Sequence, residues 1–172
     1  MLIGQGFYTT FIFHIYTIFE FFFLSLFYLQ VFGKKWEKII IPLIVVFALL
    51  CIGNFLFVQN KIEFNTYTRP IEVIITMVYG TYFINRQNIV DENISWSSNG
   101  LNWINTGILV YYASNLFMFI FFNYLVTGKR HLFDIVLVVH DTLLITEYVL
   151  FAIGFSKCKT ILTDKLGHLM HA

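Results

Sequence analysis

Hydrophobic residues occur along this chain in long blocks separated by short polar interruptions. A bilayer core about 30 Å thick takes some 20 apolar residues at a helical rise of about 1.5 Å each. Five blocks qualify as candidates. The first runs from Thr9 to Phe32 and is closed by Gly33 and the polar stretch Lys34, Lys35, Trp36, Glu37, Lys38. The second, Ile39 to Val58, is free of charge and places Pro42 in its first turn, where a missing N–H does little harm. The third begins near Thr68, Arg69 and Pro70, carries Glu72 close to its start and ends at about Asn85. Its uninterrupted part, Val73 to Ile84, is short for a crossing, so a re-entrant or tilted helix is the alternative there.

The fourth block, Leu101 to Val126, has no charge and opens near Trp103, a residue suited to the lipid headgroup boundary. The fifth, Leu132 to Phe155, is long enough but holds Asp134, His140, Asp141 and Glu147, so part of its surface should face protein or water. The polar segment Arg86 to Gly100 is the longest loop, and no internal repeat stands out. The expected fold class is all-α: a polytopic transmembrane helical bundle with about five membrane-spanning helices over residues 1–156 and a short polar cytoplasmic tail over 157–172.

Composition strengthens that expectation. Of 172 residues, 58% are hydrophobic and 20% aromatic, while 12% are charged; soluble domains carry about 25% charged residues. A soluble domain of this size buries only about 70% of its unfolded surface, so lipid is the natural cover for the remainder. The net charge of +1 comes without a cluster of Lys and Arg and gives no surface for direct binding of nucleic acid. Cys51 and Cys158 supply neither a disulfide framework nor a metal-ligand spacing. Met1 to Thr10 lacks basic residues ahead of the first apolar run, and no small-residue cleavage pattern follows, so that run is expected to stay as a membrane helix.

Basic loops stay in the cytoplasm. Lys34, Lys35, Lys38, Arg86, Lys157, Lys159 and Lys165 fall on one side of a five-span chain, and Lys61, Arg69, Lys129 and Arg130 on the other. The expected location is the cell inner membrane, multi-pass, with the N-terminus outside and the C-terminus cytoplasmic.

Polar residues inside the spans hold most of the functional information, because a charge near the bilayer centre costs about 2.5–3.5 kcal/mol and needs a partner or water. At 100° per residue, Thr10, His14, Thr17, Ser25 and Tyr28 share one stripe of the first span with Glu20 at its margin. In the fourth span Asn105, Tyr112, Asn115 and Asn123 align, and the second contributes Asn54. In the fifth, Asp134, Asp141 and Tyr148 share one stripe, and His140 and Glu147 another.

Each position has a plain reading beside the functional one. His14 and Glu20 can belong to a satisfied interhelical hydrogen-bond network, and Glu20 is expected to bond His or Asn of another helix. The asparagines serve as structural glue at about 1 kcal/mol per hydrogen bond. Arg69 and Glu72, three apart, form an interfacial ion pair, and Asp134 beside Lys129 and Arg130 is a membrane-edge residue. The sequence contains no metalloprotease helix, nucleophile elbow or phosphate-binding glycine loop, so it reads as a non-enzyme without cofactor or metal. The sequon Asn93-Ile94-Ser95 falls on the wrong side for glycosylation in this topology.

Three stretches, His14-Ile15-Tyr16-Thr17-Ile18-Phe19-Glu20-Phe21, Phe64-Asn65-Thr66-Tyr67-Thr68-Arg69 and Trp103-Ile104-Asn105-Thr106-Gly107-Ile108-Leu109-Val110-Tyr111, together resemble a family of uncharacterised multi-pass bacterial membrane proteins with a His-x-Tyr-x-x-x-Glu helix. The resemblance covers about residues 12–155. It singles out His14, Tyr16, Glu20, Arg69, Asn105 and Tyr111 and implies no particular activity. The leading functional expectation is an integral membrane effector or channel-like homo-oligomer in the lipid bilayer, its assembly lined by polar residues drawn from His14, Glu20, Arg69, Asn105, Tyr111, Asn115, His140, Asp141 and Glu147. Small membrane proteins of bacterial antiviral defence share this format, by analogy only. The alternatives are a sensor or regulatory subunit that passes a signal to a separate signalling or defence protein, and an intramembrane lipid-processing enzyme built on His14, His140 and Glu147.

Overall fold

The computed structural model describes residues 3–59, 63–90, 95–128 and 130–170. Five α-helices account for most of them: α1 (Ile3–Phe32), α2 (Glu37–Gly53), α3 (Thr68–Val90), α4 (Gly100–Gly128) and α5 (Arg130–Met170). No strand occurs among the described residues. Four stretches are long and apolar enough to cross a membrane: Ile12–Phe32, Lys34–Val58, Gly100–Gly128 and His131–Cys158. α3 is not among them, although it is 23 residues long and extends past the expected end at Asn85.

Local chemistry sets the helix ends. α1 stops at Gly33, whose φ of +88° is open to glycine at little cost; the Gly33 N–H still reaches the Leu29 carbonyl at 2.9 Å. α2 begins earlier than the apolar block does, so Pro42 lies in its second turn instead of its first. α2 then passes into a π-helical turn, Asn54–Val58, closed by the Gln59 N–H on the Asn54 carbonyl at 2.9 Å. Such turns recur at functional sites. Asn65 caps α3, its Oδ1 accepting from the Thr68 N–H at 3.2 Å, and Pro70 sits in the first turn where its missing N–H is harmless. Asn99 caps α4 in the same way, accepting from the Leu101 N–H at 3.0 Å. α5 continues well past Phe155, because the tail contains no proline and spaces Leu162, Leu166 and Leu169 at helical intervals.

The chain packs as two compact units, one of Met1–Thr76 with Asn115–Val136, the other of Met77–Ser114 with Leu137–Ala172. In the first unit, the Phe21 and Phe47 rings meet at a centroid distance of 4.1 Å beside Cys51, with Ile18, Leu43, Ile44 and Ile75 around them. His14, Thr17, Phe21, Ser25, Tyr28 and Phe32 are buried at helical spacing along α1, while Ile12, Phe19 and Phe23 are more than half exposed. The polar stripe expected on this helix is thus its protein-facing side. Thr10 and the Asn93-Ile94 part of the sequon lie outside the residues whose side chains are described.

In the second unit, α4 and α5 approach through small residues. A Cβ on Gly154 would stand 2.6 Å from Ile104 Cγ1 and 2.8 Å from the Gly100 carbonyl, and one on Gly100 would collide with the Gly154 carbonyl. Close approach through small residues is how membrane helices gain packing energy without a hydrophobic driving force. On α3, the Gly80 carbonyl accepts from Asn105 Nδ2 of α4 at 3.2 Å.

Candidate functional site

The first unit contains a buried charge cluster. Arg69, one residue into α3, donates from Nη1 to Glu20 Oε2 on α1 and to Glu72 Oε2 one turn ahead on its own helix, the latter at 2.8 Å. Relative exposures of these side chains are 5% for Arg69, 13% for Glu20 and 0% for Glu72. Two rings complete the enclosure: the guanidinium carbon lies 4.8 Å from the Phe119 centroid and 5.6 Å from that of Tyr16. The expected ion pair of Arg69 with Glu72 forms, and both side chains are buried within the first unit. Glu20, expected to bond His or Asn of another helix, takes Arg69 of α3 as a partner. A guanidinium combines a permanent positive charge with several N–H donors, so one Arg69 side chain can serve two carboxylates at once.

Next to this cluster an amide network ties the loop before α3 to α2 and α4. Asn54 Nδ2 donates to Gln59 Oε1 at 2.9 Å and to Asn65 Oδ1 at 3.3 Å. Thr68 Oγ1 also donates to Asn65 Oδ1, and Gln59 Nε2 donates to the Phe64 carbonyl and to Thr66 Oγ1. From α4, Asn123 clamps the Phe64 peptide with Oδ1 on its N–H and Nδ2 on its carbonyl, both at 3.0 Å. The Phe64 and Phe122 rings stack at 4.0 Å beneath this clamp. Asn54 and Asn123 are glue as expected; Gln59 lies outside the sequence expectation, and Asn65 and Thr68 enter it without a bonding role. A run of Asn and Thr just before Arg69-Pro70 was the available signal, being the composition of a helix cap.

The remaining candidates are placed as follows. His14 is buried with its ring edge-on to Phe55 at 5.2 Å. Asn115 is buried in the first unit. In the second unit, Asn105 is held on Gly80, and the buried Tyr111 ring lies 5.5 Å from that of His140. Glu147 is buried at 7% exposure whereas Val149 is 52% exposed, so α5 turns its His140 and Glu147 stripe toward protein. Asp134, Asp141 and Tyr148 lie exposed on the neighbouring stripe.

Among the described residues, no three His, Cys, Asp or Glu side chains gather into a metal-binding group. An open groove of about 550 Å³ on the first unit, lined by Val46, Leu49, Leu50, Phe57, Val58 and Ile71 with Gly53, Asn54 and Thr68, offers mainly hydrocarbon. Chemically, the described residues include an internal guanidinium shared by two acids, and an exposed acidic stripe, Asp134 and Asp141, on α5. Comparison with protein-family models, curated proteins and solved structures finds no match to this chain, so the functional reading rests on these residues.

Proposed function

We propose that the chain is a channel-like integral membrane effector that crosses the bilayer five times and works as a homo-oligomer whose subunits meet along α5. The observation that carries this reading is the exposure of Asp134 and Asp141 within a candidate membrane span, among exposed Leu132, Ile135, Val138 and Ile145. Lipid is a poor cover for a carboxylate, at about 2.5–3.5 kcal/mol each near the bilayer centre. Further copies of α5 resolve the conflict: their apolar residues pack on one another and the acids turn to a shared hydrated axis. Rings of acids along such an axis favour cations.

α3 serves as the fifth crossing despite its polarity. Its Glu72, Thr76 and Tyr79 are buried, while its exposed Ile71, Ile74, Val78 and Ile84 are aliphatic. A helix whose polar side is covered by protein needs only its outer side to be apolar. Five crossings also separate the basic residues more sharply, as seven against four with the N-terminus outside; omitting α3 would leave five against six.

The test is oligomeric state after reconstitution in nanodiscs, with cation flux into proteoliposomes as the activity. Several copies per disc and a cation flux reduced by Asp141→Asn are expected. A strict monomer at every protein-to-lipid ratio removes the reading.

A further inference from the structure

Charge counting in the buried cluster leads beyond the oligomeric reading and does not depend on it. Glu20 and Glu72 both accept from the Arg69 guanidinium, so these three side chains set two acids against one cation. With both acids ionised, the group would carry a net negative charge in an interior where isolated charge is strongly disfavoured. Glu72 is wholly buried and its Oε1 has no hydrogen-bonding partner. An ionised carboxylate would place half its charge on that oxygen, whereas a neutral carboxyl places only a hydroxyl there. One turn later on the same face, Thr76 is also wholly buried with an unpartnered Oγ1. Helical side chains lean toward the N-terminus, which carries the Thr76 hydroxyl back over the turn that bears Glu72.

We propose that the Glu20–Arg69–Glu72 cluster is a proton-binding site, holding one exchangeable proton on Glu72 so that a neutral carboxyl lies beside the Arg69–Glu20 ion pair. The groups that face Glu72 are Arg69 on its own helix, Glu20 on α1 and Cys51 on α2, which also meets Thr68; α4 contributes the Phe119 ring against the guanidinium. Arg69 stays protonated throughout, because guanidinium does not deprotonate in proteins. Release of the proton converts the Glu72 carboxyl to carboxylate and delivers one proton to water. Glu20, the more exposed acid on the same Nη1, is the route by which it exchanges.

Infrared spectroscopy of the full chain in lipid, in H₂O and in D₂O, tests this. The wild type should show a protonated-carboxyl C=O band at neutral pH that shifts down in D₂O. Glu72→Gln should remove one such carboxyl per chain. Glu20→Gln should remove one as well, because the single remaining acid then pairs with Arg69 and ionises. Arg69→Gln should add one, and if that variant does not fold, the two glutamine variants still decide the question. A wild type without the band, or a band that neither glutamine variant changes, overturns the proposal. Glu147→Gln, in the second unit, controls for the other buried acid and should leave the lost component intact.

Discussion

Arg69 on α3 and Glu20 on α1 are joined 49 residues apart in sequence, and this contact fixes where α3 begins relative to α1 within the first unit. Removing one partner of a buried ion pair costs about 3–5 kcal/mol, because the orphaned charge keeps its desolvation penalty. Arg69→Met takes the cation from Glu20 and the donor from Glu72, so its stability in detergent should fall by an amount in that range, and Glu20→Gln should cost much less. The combined variant Glu20→Gln, Arg69→Met, Glu72→Gln should recover most of the loss. Cys51, almost fully buried, makes a thiol-reactive fluorogenic dye a direct unfolding reporter once Cys158 is replaced by Ser. Equal losses in the single and combined variants would show that the charges are not the cause.

Asn123 makes three hydrogen bonds to the segment before α3: two to the Phe64 peptide and one to Thr66 Oγ1 at 3.3 Å. At about 0.6 kcal/mol on average for a hydrogen bond in a membrane protein, and about 1 kcal/mol in general, Asn123→Leu should destabilise the first unit by about 2–3 kcal/mol. Asn123→Asp keeps only the acceptor and should fall between. The same dye assay resolves both, and a neutral Asn123→Leu would reduce the clamp to a coincidence of geometry.

How much of this was legible beforehand depends on the kind of information periodicity carries. The buried stripe His14, Thr17, Ser25, Tyr28 was readable because helical spacing reports which side of a helix is polar. It does not report partners, so the bonds from Arg69 to Glu20 and from Asn123 to Phe64 were out of reach. Nor could it choose between the two ionisable stripes of α5. His140 with Glu147 and Asp134 with Asp141 are equally good stripes on paper, and only the Gly100 and Gly107 side of α4 decides that α5 turns Glu147 inward. α3 read as the weakest span for a related reason: protein covers its polar side, so its average polarity hides an aliphatic outer side.

The α4–α5 approach depends on Gly154. Gly154→Leu would overlap Ile104 and the Gly100 carbonyl and should destabilise the second unit by about 1–3 kcal/mol, or separate the two helices. Gly53→Ala is the matched comparison, since a Cβ there meets nothing within 4 Å. It should be neutral or stabilising by about 0.5–1 kcal/mol. Chemical unfolding of both variants in detergent, compared with the unsubstituted chain, tells them apart; a Gly154→Leu variant as stable as Gly53→Ala would remove the close approach.

Parity of crossings decides the role of α3. Five crossings put the termini on opposite sides and four put them on the same side. With a reporter active only in the cytoplasm, a fusion after Ala172 should be active, and an N-terminal fusion should score only with a reporter that works outside. Matching behaviour at both ends would make α3 re-entrant and withdraw the fifth crossing.

Asp141 and Val139 are both exposed on α5, two residues and therefore about 200° apart around the helix, so one environment cannot suit both. Lipid suits Val139 and water suits Asp141. In a background lacking Cys51 and Cys158, a membrane-impermeant thiol reagent should label Asp141→Cys in intact membranes and leave Val139→Cys unmodified. Glu147→Cys serves as the internal standard, because that position is packed inside the subunit beside Gly107 and should resist labelling until the protein is unfolded. Concentration matters too: if the water beside Asp141 belongs to an oligomer axis, dilution into excess lipid should separate the subunits and lower the labelling at 141, with position 139 unchanged. Labelling at 141 that persists undiminished in a monomer would place the water in a cleft of the single subunit, and labelling at 139 instead of 141 would turn the helix around and remove the acidic axis altogether.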